Sequence, residues 1–225
     1  MQIRCRSCGE VQTPTFFCRS CEALQLLPQD TDYFTVLGFP SHPAVDEQQL
    51  EERYYALSRK LHPDRFQTRS ADEQRASLQA TALLNAAYRT LRDVEARGRY
   101  WLTRCGDDLG RDNNRVPPRL AAYVFDVQEK MSELRTSANG GAASLRRELS
   151  ETHRDLTERR NRERAALAEL LRGWPVGDDG EPTTRDERGA AAVRELKALL
   201  SELSYLRTLD RDVQAALAEG AGAEV

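Results

Sequence analysis

Hydrophobic residues recur at helical spacing through most of the chain after residue 30, and the first such pattern predicts a pair of helices. The earlier helix has four apolar residues on one face: Leu50, Tyr54, Leu57 and Leu61. The later helix repeats the pattern at i, i+3, i+4 and i+7 with Leu84, Ala87, Tyr88 and Leu91. Each spacing gives one apolar stripe along a helix, with charged residues on the other faces. Two facing stripes predict an antiparallel hairpin.

Three longer helical patterns follow residues 105–118, a stretch of turn-forming residues that predicts a linker. The first pattern has its apolar seam on Leu120, Val124, Val127, Met131 and Leu134. The second runs from about residue 142 to 171, with Leu145, Leu149, Leu156, Leu167 and Leu170. The third runs from about residue 188 to 217, with Leu196, Leu199, Leu200, Leu203, Leu206 and Leu209. Three helices joined by loops of this length predict an antiparallel three-helix bundle.

Composition bounds the fold class. The chain has 225 residues, of which 40% are hydrophobic and 31% charged, and its formal net charge is -3. This length accommodates two small folded units, and strand signals are almost absent after residue 30. We therefore predict an all-α protein with a small irregular head.

No stretch reaches the ~20 apolar residues needed to span a bilayer, and the amino terminus lacks a hydrophobic signal region, so we expect a cytoplasmic protein without a membrane partner.

Four cysteines in the head predict a metal site. Cys5 and Cys8 form one Cys-x-x-Cys pair, and Cys18 and Cys21 form a second. Each pair places two thiolates on one tight turn, and two such turns complete a tetrahedron, which favours Zn²⁺. With four protein ligands no coordination position is left for water or substrate, so the ion is expected to be structural.

Two alternatives to zinc stay open for this head. A disulfide pair is disfavoured in a cytosolic chain, whereas an iron centre uses the same four-thiolate ligand set. The notable hydrophobic residues of the head are Ile3, Val11, Phe16 and Phe17. These are too few to fold about 30 residues unaided, so metal binding is expected to supply the stability.

The tripeptide His62-Pro63-Asp64 ends the first helix of the hairpin. Pro63 stops the helix because it has no backbone N–H donor and disfavours helical geometry in the residue before it. We expect the His62 ring to point outward and the proline to hold the His62 and Asp64 side chains apart, which argues against acid-base catalysis. The tripeptide alone also fits an ordinary helix stop followed by a turn.

Basic residues surround this tip although the chain as a whole is negatively charged. They are Arg53, Arg59, Lys60, Arg65 and Arg69. Such a patch can be simply solvated or bind nucleic acid weakly, but no aromatic residues are interleaved with it. Beside a rigid tip that carries an aspartate, an acidic protein surface is the better partner. We expect no nucleic-acid ligand.

Three ordered motifs give this region a family resemblance. They are Asp-Tyr-Phe-Thr-Val-Leu-Gly at 32–38, Leu-His-Pro-Asp-Arg-Phe at 61–66 and Asn-Ala-Ala-Tyr-Arg-Thr-Leu at 85–91. Over residues 31–104 the chain resembles the J domain. The resemblance implies a co-chaperone, not an enzyme, whose tip engages a heat-shock chaperone of the DnaK class and stimulates its ATPase. The chaperone-binding residues would be His62, Pro63, Asp64, Arg53, Arg59, Lys60 and Arg65.

The whole layout resembles the HscB-type J-domain co-chaperones of iron-sulfur cluster assembly, some of which carry an amino-terminal four-cysteine zinc extension. Further matching stretches are residues 99–102, 123–134 and 203–207. The resemblance implies that the bundle binds an IscU-type scaffold protein and delivers it to a DnaK/HscA-class chaperone. The scaffold-binding residues would be Val124, Phe125, Gln128, Glu129, Ser132 and Tyr205. Gln128 stands where the family has an apolar residue, and Ser132 where it has an acidic one.

The expected division is a zinc segment at 1–28, a J domain at 30–104, a linker at 105–118 and a scaffold-binding bundle at 119–220. Phe125 lies off the helical seam, so this aromatic side chain is expected to be partly exposed on a partner-binding face.

Two other functions stay open: a general protein-folding J-domain co-chaperone that presents unfolded clients, and a zinc-dependent regulatory or nucleic-acid-binding module. We expect a monomer or a weak homodimer.

Overall fold

A computed structural model describes residues 2–28, 30–110, 116–136, 142–177, 181–184 and 186–219. Residues 111–115 of the predicted linker lie outside these ranges. The chain forms two compact units. The first comprises Met1–Trp101 and Leu171–Thr183, and the second comprises Leu102–Leu170 and Thr184–Val225.

Helices dominate the described residues. Near the amino terminus β1 (Ile3–Arg4) and β2 (Val11–Gln12) pair antiparallel, with Ile3 opposite Gln12. The helices are α1 (Tyr33–Val36), α2 (Glu47–Leu61), α3 (Ala71–Arg92), α4 (Val94–Arg104), α5 (Ala121–Thr136), α6 (Ala142–Arg172) and α7 (Glu187–Glu219). Short 3-10 turns occupy Pro63–Phe66 and Pro118–Leu120. The predicted mostly helical fold with an irregular head is confirmed. In the described ranges, no helix combines the length and the apolarity that a membrane crossing needs.

The predicted hairpin is the pair α2 and α3. Leu50 and Leu61 of α2 and Leu84 and Leu91 of α3 are completely buried. Complete burial of a leucine side chain contributes about 1.5–3 kcal/mol. Helix α3 begins at a capping box, in which Ser70 and Glu73 each accept a hydrogen bond from the other residue's backbone N–H. The cap fixes where the loop ends and α3 starts.

Aromatic contacts join α2 to α3 at the middle of the hairpin. The Tyr54 and Tyr88 rings stack with their centroids 3.9 Å apart and their planes 11° from parallel. The Tyr54 hydroxyl donates a hydrogen bond of 2.9 Å to Asn85 Oδ1. A ring pair of this kind contributes about 0.5–1.5 kcal/mol beyond its buried area. Asn85 and Tyr88 therefore fix the register of the two helices.

The short helix α1 packs against α4 in the same unit. Asp32 caps α1 by accepting a hydrogen bond of 3.0 Å from Thr35 N. The Tyr33 backbone N–H donates to the Tyr100 hydroxyl at 2.9 Å. The Phe34 ring meets the Trp101 ring edge to face at 5.8 Å. These contacts close the core of the first unit around an aromatic cluster.

The segment after α6 also belongs to the first unit. Trp174 is 3% exposed, and its ring meets Trp101 edge to face at 5.6 Å. Trp174 Nε1 donates to the Thr183 carbonyl at 3.2 Å, and Thr183 N donates to the Pro175 carbonyl at 2.9 Å. Residues 171–177 and 181–183 thus pack with the first unit, although they fall within the range 119–220 predicted for the bundle.

The second unit is built on α5, α6 and α7. Its core contains Leu120, Val124, Val127, Met131, Leu149, Leu156, Leu206, Leu209, Val213 and Ala216. All the leucines predicted for the third helix of the bundle are buried. At the carboxyl end of α6 one seam residue differs from the prediction. Leu170 is only half-buried, whereas its neighbour Leu171 is completely buried.

A buried ionic cluster joins α6 to α7. The carboxylate of Asp210, whose side chain is 8% exposed, lies 2.6 Å from His153 Nδ1 and accepts a hydrogen bond of 3.2 Å from Arg160 Nη1. Removing one member of a buried ionic group leaves the remaining charges without compensation. The cluster therefore fixes the position of α6 along α7.

Replacing Asp210 with alanine is expected to lower the free energy of unfolding of the bundle by about 3 kcal/mol, because the Arg160 guanidinium and the His153 ring lose their shared partner. Urea unfolding followed by far-ultraviolet circular dichroism measures this change. Asp212→Asn is the matched control on the same helix. Its carboxylate is 49% exposed, and we expect a change within about 0.5 kcal/mol. An Asp210→Ala effect as small as that of the control would contradict this role.

Candidate functional site

Each cysteine pair of the head sits on a tight turn. In the first turn, Gly9 N donates to the Cys5 carbonyl at 3.0 Å, and in the second, Glu22 N donates to the Cys18 carbonyl at 2.9 Å. Gly9 and Glu22 both have a positive φ, 78° and 57° respectively. Glycine adopts this conformation readily, whereas glutamate is strained in it. The two turns thus share a hydrogen bond and a positive φ at equivalent positions.

The four sulfur atoms converge on one point. All lie within 4.8 Å of one another. Cys5 and Cys21 are separated by 3.7 Å, and Cys8 and Cys18 by 3.6 Å. Four sulfurs around one tetrahedral ion with bonds of ~2.3 Å lie about 3.8 Å apart, so the cluster has the size of a four-thiolate metal site.

Backbone hydrogen bonds prepare Cys5 as a ligand. Cys8 N and Ser7 N approach Cys5 Sγ at 3.5 and 3.3 Å. The hydrogen bond from Cys8, ahead of the one from Ser7, lowers the pKa of the Cys5 thiol to about 6. The thiolate, which is the form that binds metals, is therefore favoured at neutral pH.

Two glutamines that the pattern of cysteines did not single out brace the head. Gln12 and Gln25 are 7% and 3% exposed. Gln12 Oε1 accepts from Arg19 N at 2.9 Å, and Gln25 Oε1 accepts from Arg6 N at 3.3 Å. The Gln12 side chain thus binds the backbone of the second cysteine turn, and the Gln25 side chain binds that of the first. The signal for them is an internal repeat, because Cys-Arg-Ser-Cys-x-x-x-Gln occurs at 5–12 and again at 18–25.

The His-Pro-Asp tip has a defined geometry. His62 leaves α2 with φ -54° and ψ 129°, and its Nδ1 accepts a hydrogen bond of 3.3 Å from Asp64 N. The His62 and Asp64 side chains are 57% and 71% exposed. As predicted, the ring points outward.

The expected separation of the two polar side chains is wrong. His62 Nδ1 lies only 3.4 Å from Asp64 Oδ2, because the 3-10 turn at Pro63–Phe66 folds residue 64 back toward the ring. Gln67 Nε2 also donates to Asp64 Oδ1 at 3.2 Å. The Gln67 amide therefore orients the carboxylate, which stays open to a partner.

The tip is tied to α3. The hydroxyl of Ser77 donates to the Leu61 carbonyl at 2.6 Å, and the hydroxyl of Thr81 donates to it at 3.2 Å. Gln74 Nε2 donates to the carbonyls of Gln67 and Arg69, each at 3.0 Å. The bonds from Ser77 and Thr81 satisfy a carbonyl that the end of α2 leaves without a helical partner, and those from Gln74 tie the loop to α3. The tip is consequently a rigid feature of the hairpin.

The predicted basic residues divide into two groups. Arg59, Lys60 and Arg65 are exposed beside the tip. Arg53 is half-buried, with its guanidinium 4.1 Å from the centre of the Phe39 ring and its Nη1 donating to the Gly38 carbonyl. Arg53 therefore stabilises the loop before α2 from within the J domain.

The residues predicted to form the scaffold-binding face lie on α5 and α7. Phe125 is 66% exposed, as expected from its position off the seam. Gln128, Glu129 and Ser132 are exposed on the same helix. Val124 differs, because it is 2% exposed and forms part of the core. It supports the face from below and offers no surface to a partner.

Tyr205 and Gln128 meet at a groove between α5 and α7. The groove has a volume of about 240 Å³, and its floor includes Met131 and Leu209. Tyr205 is half-buried and packs against the core of the bundle. The structure thus joins two of the predicted residues in one concave site, with Phe125 exposed on the same helix as Gln128.

Comparison with known families identifies the first part of the chain. The family model described as the DnaJ domain matches residues 32–100. That range includes α1, the α2–α3 hairpin and the His-Pro-Asp tip. A DnaJ domain implies a chaperone partner of the DnaK class.

Curated relatives extend the similarity beyond this domain. The chain is 37% identical over 141 residues to the co-chaperone protein HscB homolog of Bordetella avium, a match that spans 62% of this chain and 79% of that protein. It is 32% identical over 150 residues to the corresponding homolog of Bordetella petrii, spanning 64% and 88% of the two chains.

Solved structures share the fold. The crystal structure of human co-chaperone protein HscB superposes with a TM-score of 0.67 at 23% identity, covering 95% of this chain and 98% of the human chain. Chaperone HscB from Vibrio cholerae gives a TM-score of 0.52, also at 23% identity, over 82% and 96% of the two chains. At this identity the similarity concerns the architecture alone.

Proposed function

Because the chain belongs to the HscB family of J-domain co-chaperones, we propose that it recruits an IscU-type scaffold protein to a DnaK/HscA-class chaperone. In this role the chain stimulates the ATPase of the chaperone and promotes iron-sulfur cluster assembly and transfer. The observation that carries the proposal is the presence, on one chain, of a rigid His-Pro-Asp tip and an exposed aromatic face on a separate helical bundle. A co-chaperone of this kind is an adaptor, and the ATP chemistry belongs to its partner.

The tip is suited to the chaperone side of this adaptor. Asp64 presents an oriented, exposed carboxylate that can pair with an arginine of the chaperone. Arg59, Lys60 and Arg65 add positive charge around it, which would steer the chain toward an acidic surface. Because Arg53 is engaged inside the J domain, its contribution would be to hold the loop before α2.

The bundle is suited to the scaffold side. Phe125 exposes an aromatic ring, and aromatic anchors dominate the binding energy of many interfaces. Tyr205 and Gln128 line the groove between α5 and α7, and Glu129 and Ser132 are exposed polar residues on α5. Gln128 would exchange part of the apolar contact usual in the family for a hydrogen bond, and Ser132 would replace a charged contact with a neutral polar one.

Replacing Phe125 and Tyr205 together with alanine is expected to weaken scaffold binding by about 30-fold or more, the loss typical of interface anchors. Isothermal titration calorimetry with a purified IscU-type scaffold measures the dissociation constant. Leu78→Ala is the matched control, since it removes an apolar side chain that is 57% exposed on α3 of the J domain. Unchanged scaffold affinity in the folded double variant would contradict the proposed face.

For the head we propose a structural Zn²⁺ ion bound by Cys5, Cys8, Cys18 and Cys21. The sulfur spacing supports a tetrahedral ion held by thiolates. All four donors come from the protein, so the role of the ion is to hold the two turns together. We also propose that this chain acts in the cytoplasm, where iron-sulfur scaffold proteins would meet it.

A further inference from the structure

The groove between α5 and α7 is apolar at its floor and polar at its rim. Met131 and Leu209 are 7% and 3% exposed. Around them lie the amide of Gln128, the hydroxyl of Thr208 and the carboxylate of Asp212. A site of this composition fits a side chain with an apolar stem and a polar head, because the stem can lie on the floor while the head reaches the rim.

The rim is rich in hydrogen-bond acceptors. The Thr208 hydroxyl already donates to the Ser204 carbonyl at 3.3 Å, so its oxygen serves as an acceptor for any ligand. The carboxylate of Asp212 accepts only, and Gln128 adds an amide oxygen. Asp212 is the one charged residue among the described residues that line the groove. The bound group should accordingly be a cation with several N–H donors.

Asp212 remains accessible to such a cation. Its present ionic neighbour is Arg211, the next residue in the chain, with a nitrogen-oxygen distance of 3.4 Å. Arg211 is 76% exposed. Exposed pairs of this kind contribute only about 0–1 kcal/mol, so a cation that enters the groove can replace Arg211 with little loss.

We infer that this groove receives an arginine side chain of the scaffold protein and that Asp212 is a specificity-determining residue of the interface. This inference rests on the proposed function. Arginine fits better than lysine because its planar guanidinium offers five N–H donors to an acceptor-rich rim, and its stem can cover Met131 and Leu209. Aromatic anchoring by Phe125 and charge recognition by Asp212 would then act side by side.

The test is calorimetric titration of a purified IscU-type scaffold into the full chain and its variants. Asp212→Asn is expected to weaken binding about tenfold, the factor for one hydrogen bond to a charged group, and to reduce the salt dependence of the affinity. The matched control is Glu158→Gln, which makes the same charge change at an exposed position of α6 outside the groove. It should leave the affinity unchanged.

Scaffold variants identify the bound residue. When each surface arginine of the scaffold is changed in turn to glutamine, one variant should lose affinity for the natural chain and lose nothing further with Asp212→Asn. Equal binding by the natural chain and Asp212→Asn, or coupling to a scaffold lysine instead, overturns the arginine assignment while the proposed function stands. A natural chain that binds no scaffold at all overturns the proposed function, and this inference falls with it.

Discussion

Replacing Cys18 with serine is expected to abolish metal binding and to unfold residues 2–28 while the helices of both units stay folded. Phe16 is the one large hydrophobic side chain of this segment that is fully buried, and Val11 is 44% exposed. The apolar core is therefore too small to hold the turns without the ion. Structural zinc contributes about 10–16 kcal/mol to such segments, far more than a pair of two-residue strands.

Metal content by elemental analysis, together with the dispersion of backbone amide signals in proton-nitrogen NMR spectra, measures this result. Cys105→Ser is the matched control, because Cys105 is the fifth cysteine and lies outside the cluster. The control should retain one metal ion per chain. If Cys18→Ser kept stoichiometric metal and dispersed signals for the head, the four-thiolate site would be wrong. Iron in place of zinc would correct the identity of the ion but not the site.

Replacing His62 with glutamine, or Asp64 with asparagine, is expected to reduce stimulation of the partner ATPase to the basal rate while the hairpin stays folded. Both side chains are largely exposed, and the bonds from Ser77 and Thr81 to the Leu61 carbonyl do not depend on them. We expect the loss because His62 Nδ1 holds the backbone N–H of Asp64 in place. The Asp64 carboxylate would then make the charged contact with an arginine of the chaperone.

Single-turnover ATP hydrolysis by a DnaK/HscA-class chaperone measures this effect. The matched control is Asp72→Asn, which removes a carboxylate in the first turn of α3, with a side chain that is 87% exposed. Its stimulation should equal that of the natural chain. Full stimulation by His62→Gln and Asp64→Asn would contradict the assignment of the tip.

Local patterns were sufficient to predict the five longest helices, α2, α3, α5, α6 and α7, but not the shorter α1 and α4. The apolar spacing along α2 and α3 places Leu50, Leu61, Leu84 and Leu91 in the core, and all four are completely buried. Amphipathic periodicity is a property of single segments, so the sequence reports it directly. The same holds for the two cysteine pairs, whose spacing is read within a few residues.

Long-range packing could not be predicted in this way. Trp174 follows a helix stop, and no local signal indicates that its ring lies against Trp101, more than 70 residues earlier. The cation-π contact of Arg53 with Phe39 likewise turns an apparent surface charge into a structural residue. The proximity of His62 and Asp64 depends on the 3-10 conformation after Pro63, which proline permits but does not dictate.

The candidate sites likewise combine features that a local pattern predicts with features that depend on tertiary packing. Exposure of Phe125 follows from its helical position, whereas the groove that joins Gln128 to Tyr205 needs the packing of α5 against α7. Gln12 and Gln25 could have been found from the internal repeat, because both halves carry a glutamine seven residues after the first cysteine. Their cross-bracing hydrogen bonds require the folded head.

The central claim, that one chain couples a chaperone to a scaffold, is tested most directly by measuring ATP hydrolysis of a DnaK/HscA-class chaperone with the chain and an IscU-type scaffold, separately and together. We predict that the two together stimulate hydrolysis more than the sum of their separate effects. We also predict that Asp64→Asn removes all stimulation by the chain, and that the Phe125 and Tyr205 double variant removes only the gain from the scaffold. Stimulation that is indifferent to the scaffold but enhanced by an unfolded client protein would contradict the claim.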